Sequence, residues 1–121
     1  MGSQMYIRDS LKAGQGAKKS IAYTEAVSYF EQGIHILSTQ GWTTHYPLML
    51  ELCSELANVQ FLRGDFDAVQ AIGTHALAHI HDTADALPIY ITQISSDQAQ
   101  GKMLAVFELG RQVLGLSLIH I

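Results

Sequence analysis

Apolar residues recur at helical spacing along most of the chain. In the segment 46–63 they follow i, i+3, i+4, i+7 and i+8 steps, on one helix face: Met49, Leu52, Cys53, Leu56 and Ala57. Other apolar residues of this segment fall on the remaining faces, so we expect the helix to lie between neighbours. The segment 21–37 shows the same three- and four-residue steps, which again predict a helix.

Glycines and short polar runs separate the helical segments. Gly64 can take the left-handed backbone of a helix C-terminus, and Asp65 can cap the next helix. Gly101 is predicted to end a helix in the same way, and the run STQGW (38–42) to form a loop. Pro47 and Pro88 are predicted to lie near helix starts.

The chain is therefore predicted to be all-α, with about six helices in a single domain, residues 1–121, and without a strand. We expect three antiparallel pairs of helices: 5–19 with 22–38, 46–63 with 65–80, and 87–100 with 102–115. The corresponding repeats span residues 5–38, 46–80 and 87–115.

The same layout of residues occurs twice, as GDFDAVQAIGTHAL (64–77) and GKMLAVFELGRQVL (101–114). One helical hairpin cannot bury its apolar face alone, whereas stacked hairpins can. The recurrence therefore predicts a stack of hairpins.

Composition narrows the possible functions. Charged residues make up 15% of the chain and apolar residues 48%, so we expect part of the surface to be covered by a partner. With 7 Lys+Arg against 11 Asp+Glu, the chain lacks the basic patch of a nucleic-acid-binding protein. The single cysteine and the absence of a long apolar run favour a cytoplasmic protein without a membrane segment.

The segment LANVQFLRGDFDAVQAIGTHAL (56–77) resembles a tetratricopeptide repeat. The matching positions are Leu56, Ala57, Gly64, Phe66, Ala76 and Leu77. In the first repeat, Tyr23, Ala26 and Phe30 take the corresponding positions of the second helix. The resemblance implies a right-handed solenoid fragment of antiparallel hairpins.

Most of the chain, from KAGQGAKKSIAYTEAVSYFEQGIHIL to QGKMLAVFELGRQVLGL, is also similar to the helical-repeat region of large bacterial signalling proteins. In those proteins the region lies after a P-loop ATPase module and before an output histidine kinase or cyclase, often with a serine/threonine kinase domain upstream. The resemblance implies a non-catalytic scaffold, a fragment of a longer chain, that binds protein and needs no cofactor. Two alternatives are a free-standing peptide-binding module and the repeat region of an ATPase-type transcriptional regulator.

Few residues suggest a catalytic or metal-binding role. His75 and His79, four residues apart on one helix, are weak candidates for a zinc or copper site, and they would equally suit a helix C-terminus. Cys53 lies on an apolar stripe, which favours a buried thiol over a nucleophile. Trp42 is interpreted as packing its loop onto the next helix, with partner binding as the alternative.

If the groove of a tetratricopeptide stack binds a partner here, the first helix of each pair lines it. The candidates are Glu51, Ser54, Asn58 and Phe61 in the middle repeat and Gln15, Lys18 and Lys19 in the first. The alternative is that these residues face solvent or a neighbouring repeat.

Two short segments match translated sequencing adapters. LSLIHI (116–121) is what one reading frame of a common transposase adapter encodes, and DALPI (85–89) is a weaker match to another. Our hypothesis is that LSLIHI is adapter read-through.

Overall fold

The structure, a computed structural model, describes the backbone of residues 2–120 and the side chains of residues 7–104, 108 and 111. Within residues 2–120 all regular structure is helical. The helices are α1 (Gly2–Lys19), α2 (Tyr23–Leu37), α3 (Gly41–Thr44), α4 (Tyr46–Arg63), α5 (Phe66–Leu77) and α6 (Thr83–His120). The prediction of an all-α protein is confirmed, and LSLIHI lies outside the described side chains.

The first hairpin forms because small residues let α1 and α2 approach closely. Gly14 lies against the ring of Phe30, and Gly33 lies near Ser10, so the two helices run antiparallel. A three-residue turn joins them, and in it Ile21 has a φ of 63°, a backbone conformation that a β-branched residue rarely adopts. The predicted helices 5–19 and 22–38 are confirmed to within a few residues.

α4 is the centre of the molecule and contacts every other helix. Its bounds match the predicted segment 46–63, and its burial on several faces confirms that it is packed between neighbours. Its buried residues include Met49, Leu52, Leu56 and Val59, which pack in one core with Phe30 of α2 and with residues of α1, α5 and α6.

The boundary between α4 and α5 forms as the sequence predicts. Gly64 has a φ of 80°, and its N–H group is bonded to the last turn of α4. The Asp65 carboxylate accepts a hydrogen bond from the Ala68 N–H, 3.2 Å away, which caps α5. α5 ends at Leu77, three residues before the predicted end at residue 80.

The predicted helix end at Gly101 is wrong. One helix, α6, runs from Thr83 to His120, so the segments 87–100 and 102–115 are not an antiparallel pair, and Pro88 lies inside the helix. Gly64 and Gly101 are followed by different residues. Asp65 can cap a new helix, whereas the Lys102 side chain cannot accept a hydrogen bond from a backbone N–H. No cap favours a new helix at this point, and a glycine inside a helix lowers its stability by only about 1 kcal/mol relative to alanine, so the helix continues.

The run STQGW is a turn at residues 38–40, as predicted, whereas its last two residues, Gly41 and Trp42, begin the single helical turn of α3. Within DALPI, Ala86 and Ile89 are both buried in the interior. This segment therefore contributes to the packing of α6.

Polar side chains hold α5 against α6. Gln93 donates a hydrogen bond to Gln70 at 3.3 Å, and Gln70 donates one to Asp97 at 3.1 Å. Gly73 lies against the Gln93 side chain and leaves room for it. Ser96 is fully buried, and its hydroxyl has no hydrogen-bond partner among the described residues. Contacts of this kind contrast with the apolar packing around α4.

Alanine substitution of the two glycines tests the different roles of Gly64 and Gly101. Gly101→Ala should raise the free energy of unfolding by up to about 1 kcal/mol, because alanine is the better helix former and a Cβ there meets open space. Gly64→Ala should lower it by about 1–2 kcal/mol, because its φ is left-handed. Urea denaturation followed by circular dichroism measures both. A clear destabilisation by Gly101→Ala would show that α6 is broken there.

Candidate functional site

A groove lies between the C-terminal half of α1 and the outer face of α4. Its volume is about 530 Å³. Six residues line it: Gln15, Lys18, Lys19, Tyr23, Glu55 and Leu62. We refer to it as the α1–α4 groove.

The groove combines cationic, acidic and apolar groups. The Lys18 ammonium lies 3.6 Å from the Glu55 carboxylate, in an ion pair whose side chains are each about a quarter exposed. Lys19 is exposed beside this pair, and Leu62, at 44% exposure, supplies apolar surface about two helical turns beyond Glu55. Such a surface can hold an extended segment that carries both acidic and apolar side chains.

The structure brings together only some of the predicted groove residues. Gln15, Lys18 and Lys19 line the groove as a set. Glu51 is exposed and Ser54, Asn58 and Phe61 are half-buried, but none of these four lines the groove, and Phe61 instead pairs with Phe66 at a ring separation of 6.2 Å. Their role in partner binding stays a prediction.

Sequence reasoning missed Tyr23, Glu55 and Leu62. Glu55 and Leu62 are seven residues apart and therefore share a helix face, but so do Ser54 and Phe61. The choice between these two faces depends on where α1 crosses α4. The opposite charges of Lys18 and Glu55 are the one signal in the sequence that favours the observed pairing.

A second group of polar and aromatic side chains lies at the other end of α4. Trp42 is 3% exposed, and its indole N–H donates a hydrogen bond to Nε2 of His75 at 3.4 Å. The ring of His79 stacks on the indole at 5.2 Å, and the ring of Tyr46 lies 6.0 Å from it. The prediction that Trp42 packs its segment onto the next helix is confirmed, and the contact extends to α5.

Tyr46 connects the start of α4 to the segment before α6 and to the first turn of α6. Its hydroxyl donates to the Asp85 carboxylate at 2.7 Å and accepts from the His81 N–H at 3.1 Å, while its ring stacks on the His81 imidazole at 4.0 Å. Burial and the neighbouring Asp85 carboxylate raise the pKa of Tyr46. The phenol therefore stays protonated and acts as a fixed connector.

Packing contacts occupy the two histidines that were candidates for a metal site. His75 accepts the tryptophan N–H, and Nδ1 of His79 lies 3.0 Å from the His75 carbonyl oxygen, to which it can donate. Among the residues whose side chains are described, no three His, Cys, Asp or Glu residues lie together so as to hold a metal ion. His75 lies in the last turn of α5, and His79 lies two residues beyond its end at Leu77.

Cys53 lies in the core. It is 1% exposed, and burial raises the pKa of its thiol to about 12. The thiolate is the reactive form of cysteine, so a thiol in this position is inert.

A thiol-labelling experiment tests the placement of Cys53. The native chain should not react with a disulfide reagent at pH 8 over minutes, and it should react completely in concentrated urea. Ser28→Cys, which adds an exposed thiol on α2, should react at once under native conditions. Labelling of Cys53 as fast as that control would contradict its burial.

Comparison with known proteins found no protein-family model, no curated protein and no solved structure that matches the chain. Among the described residues, no helix combines the length and apolar character needed to cross a membrane.

Proposed function

We propose that the chain is a non-catalytic, protein-binding helical scaffold that holds a partner segment in the α1–α4 groove. The observation that carries this proposal is the groove itself, where Lys18, Lys19 and Leu62 present charge and apolar surface side by side. Protein-binding surfaces combine apolar and polar area in this way.

The order of helix packing supports a tetratricopeptide-like arrangement. Each of the long helices packs on the next one, and α4 also contacts α1 and α6. Two pairs of alternate helices, α1 with α4 and α4 with α6, are therefore in contact as in a stack of helical hairpins, whereas among the described residues α2 and α5 do not pack on each other. The continuous α6 departs from that pattern, and the proposed solenoid is consequently limited to α1, α2, α4, α5 and the first part of α6.

The two candidate groups for chemistry support a scaffold rather than an enzyme. Cys53 is buried with a raised pKa, and His75 and His79 are engaged with Trp42. Both groups contribute to packing.

Peptide selection tests the groove. A phage-displayed library of random peptides, panned against the purified chain, should yield sequences that combine acidic and apolar residues. Synthetic copies of these peptides should bind the parent chain with micromolar affinity. Their affinity for the Lys19→Glu variant should be at least about tenfold lower, which corresponds to about 1.4 kcal/mol. Their affinity for the Lys102→Glu variant should equal that for the parent chain. Lys102 is exposed on α6, so its substitution makes the same change in net charge outside the groove.

Equal loss of affinity in both variants would indicate a general charge effect and would contradict the proposed site. The proposal as a whole would be contradicted if no selected peptide bound the Lys19→Glu variant more weakly than the parent chain. Circular dichroism of each variant establishes that it is folded.

From the resemblance of the sequence to the helical-repeat region of bacterial signalling proteins, we propose a more specific role. In this role, the scaffold connects an upstream ATPase module with an output kinase or cyclase and fixes their relative positions. Long-read sequencing of the source DNA tests this proposal. An open reading frame that encodes a P-loop ATPase before this segment would support it, and flanking sequence without such a module would contradict it.

A further inference from the structure

The side of α6 that faces away from α5 carries a continuous apolar surface. Leu87, Tyr90, Ile91 and Ile94 lie on this side and are between 45% and 57% exposed. The opposite side of the helix is buried, through Ala86, Ile89, Thr92 and Ser96. We call the four exposed residues the outer stripe.

The outer stripe is large enough for a weak protein interface. A large apolar side chain has on the order of 200 Å² of accessible surface, so four half-exposed side chains present about 400 Å² on each copy. Two such surfaces together remove about 800 Å² from water, and flanking contacts add to this area. The total is in the range of transient interfaces, which bury less than about 1,200 Å².

Charge favours a second copy as the occupant of this surface. Between Ala86 and Ser96 the sequence has no charged residue, so two stripes meet without like-charge repulsion. The flanking carboxylates are engaged within their own chain, Asp85 by Tyr46 and Asp97 by Gln70. A strongly charged partner would find no complementary group on this surface.

The spacing of the stripe fits its own reversed copy. Leu87 and Ile94 are equally far from the midpoint between Tyr90 and Ile91, so a two-fold axis at that point places Leu87 of one copy against Ile94 of the other. Antiparallel packing also opposes the two helix dipoles, whereas parallel packing would bring the acidic residues Asp82 and Asp85 of both copies together.

We propose that α6 pairs with α6 of a second copy through the outer stripe, antiparallel, across a two-fold axis between Tyr90 and Ile91. The α1–α4 groove has no residue in this interface, so the pairing does not depend on the proposed peptide binding.

Sedimentation velocity of the full chain tests the pairing. We expect a reversible monomer–dimer equilibrium with a midpoint in the micromolar range. Ile91→Glu should make the chain monomeric at every concentration, because pairing would bury a carboxylate. Ile36→Glu places the same charge on an apolar residue of similar exposure, 47%, on α2, and should leave the dimer intact. A parent chain that is monomeric up to the highest concentration, or a dimer that survives Ile91→Glu, would overturn the proposal.

Cross-linking tests the orientation and does not depend on the charged variants. Ile91→Cys, close to the axis, should form an intermolecular disulfide under mild oxidation, since the native Cys53 is buried and does not compete. Gln98→Cys lies on the same side of α6 but would face residue 83 of the other copy, and should not cross-link to itself. Efficient cross-linking at both positions would indicate a parallel pair and would overturn the antiparallel assignment.

Discussion

Replacing Phe30 with alanine is expected to lower the free energy of unfolding by about 3–5 kcal/mol. The Phe30 side chain is fully buried, and it lies where α1, α2 and α4 share one core. Its ring lies against Gly14, which has no side chain that could fill the cavity. Part of the cost is lost burial, and part is the cavity itself.

The adjacent Tyr29 is the matched control for this substitution. Tyr29 is 40% exposed on the same helix, so Tyr29→Ala should cost about 1 kcal/mol or less. Urea denaturation followed by circular dichroism gives both values. Similar losses in the two variants would mean that Phe30 is not in the core and that α1 does not pack on α2 as described.

Replacing Trp42 with alanine is expected to cost about 3–5 kcal/mol as well. Trp42 joins the short α3 to the end of α5 through its stacking with His79 and its hydrogen bond to His75. The substitution removes the buried indole and leaves α3 with little else to hold it, since α3 is a single helical turn. Circular dichroism is the suitable probe, because the variant has no tryptophan to report unfolding by fluorescence.

Trp42→Phe separates the two contributions of this side chain. Phenylalanine keeps most of the apolar volume but cannot donate to His75, and the loss of one hydrogen bond costs about 0.5–1.5 kcal/mol. We therefore expect an intermediate stability for this variant. A loss below about 1 kcal/mol for Trp42→Ala would contradict the burial of the indole.

Local signals in the sequence were sufficient for most of the helices. The boundaries of α4 and the change of direction at Gly64 depend on residues within one or two turns, because an amphipathic period, a left-handed glycine and a capping aspartate all act over a few residues. Gly101 was misjudged because a glycine ends a helix only together with its surroundings. Lys102 provides no cap, and the helix continues.

The candidate site was harder to predict because it depends on contacts between distant segments. The sequence indicated that Gln15, Lys18 and Lys19 share a helix face, but not that Glu55, 37 residues after Lys18, lies opposite them. Likewise, the sequence predicted His75 and His79 on one helix, but α5 ends at Leu77 and His79 lies in the turn that follows it. Their actual partner, Trp42, comes from a helix 33 residues earlier, and no periodicity could indicate that contact.

The polar contact between α5 and α6 gives the molecule an order of opening. The hydrogen bonds among Gln70, Gln93 and Asp97 exchange readily for bonds to water, whereas the apolar core around Phe30 and Leu52 has no such substitute. α6 also buries Ala86 and Ile89, so the difference is one of degree, and we expect separation of α6 to require less free energy than separation of α1 from α2. We therefore expect a graded structure, in which the first hairpin and α4 stay assembled through fluctuations that release α6.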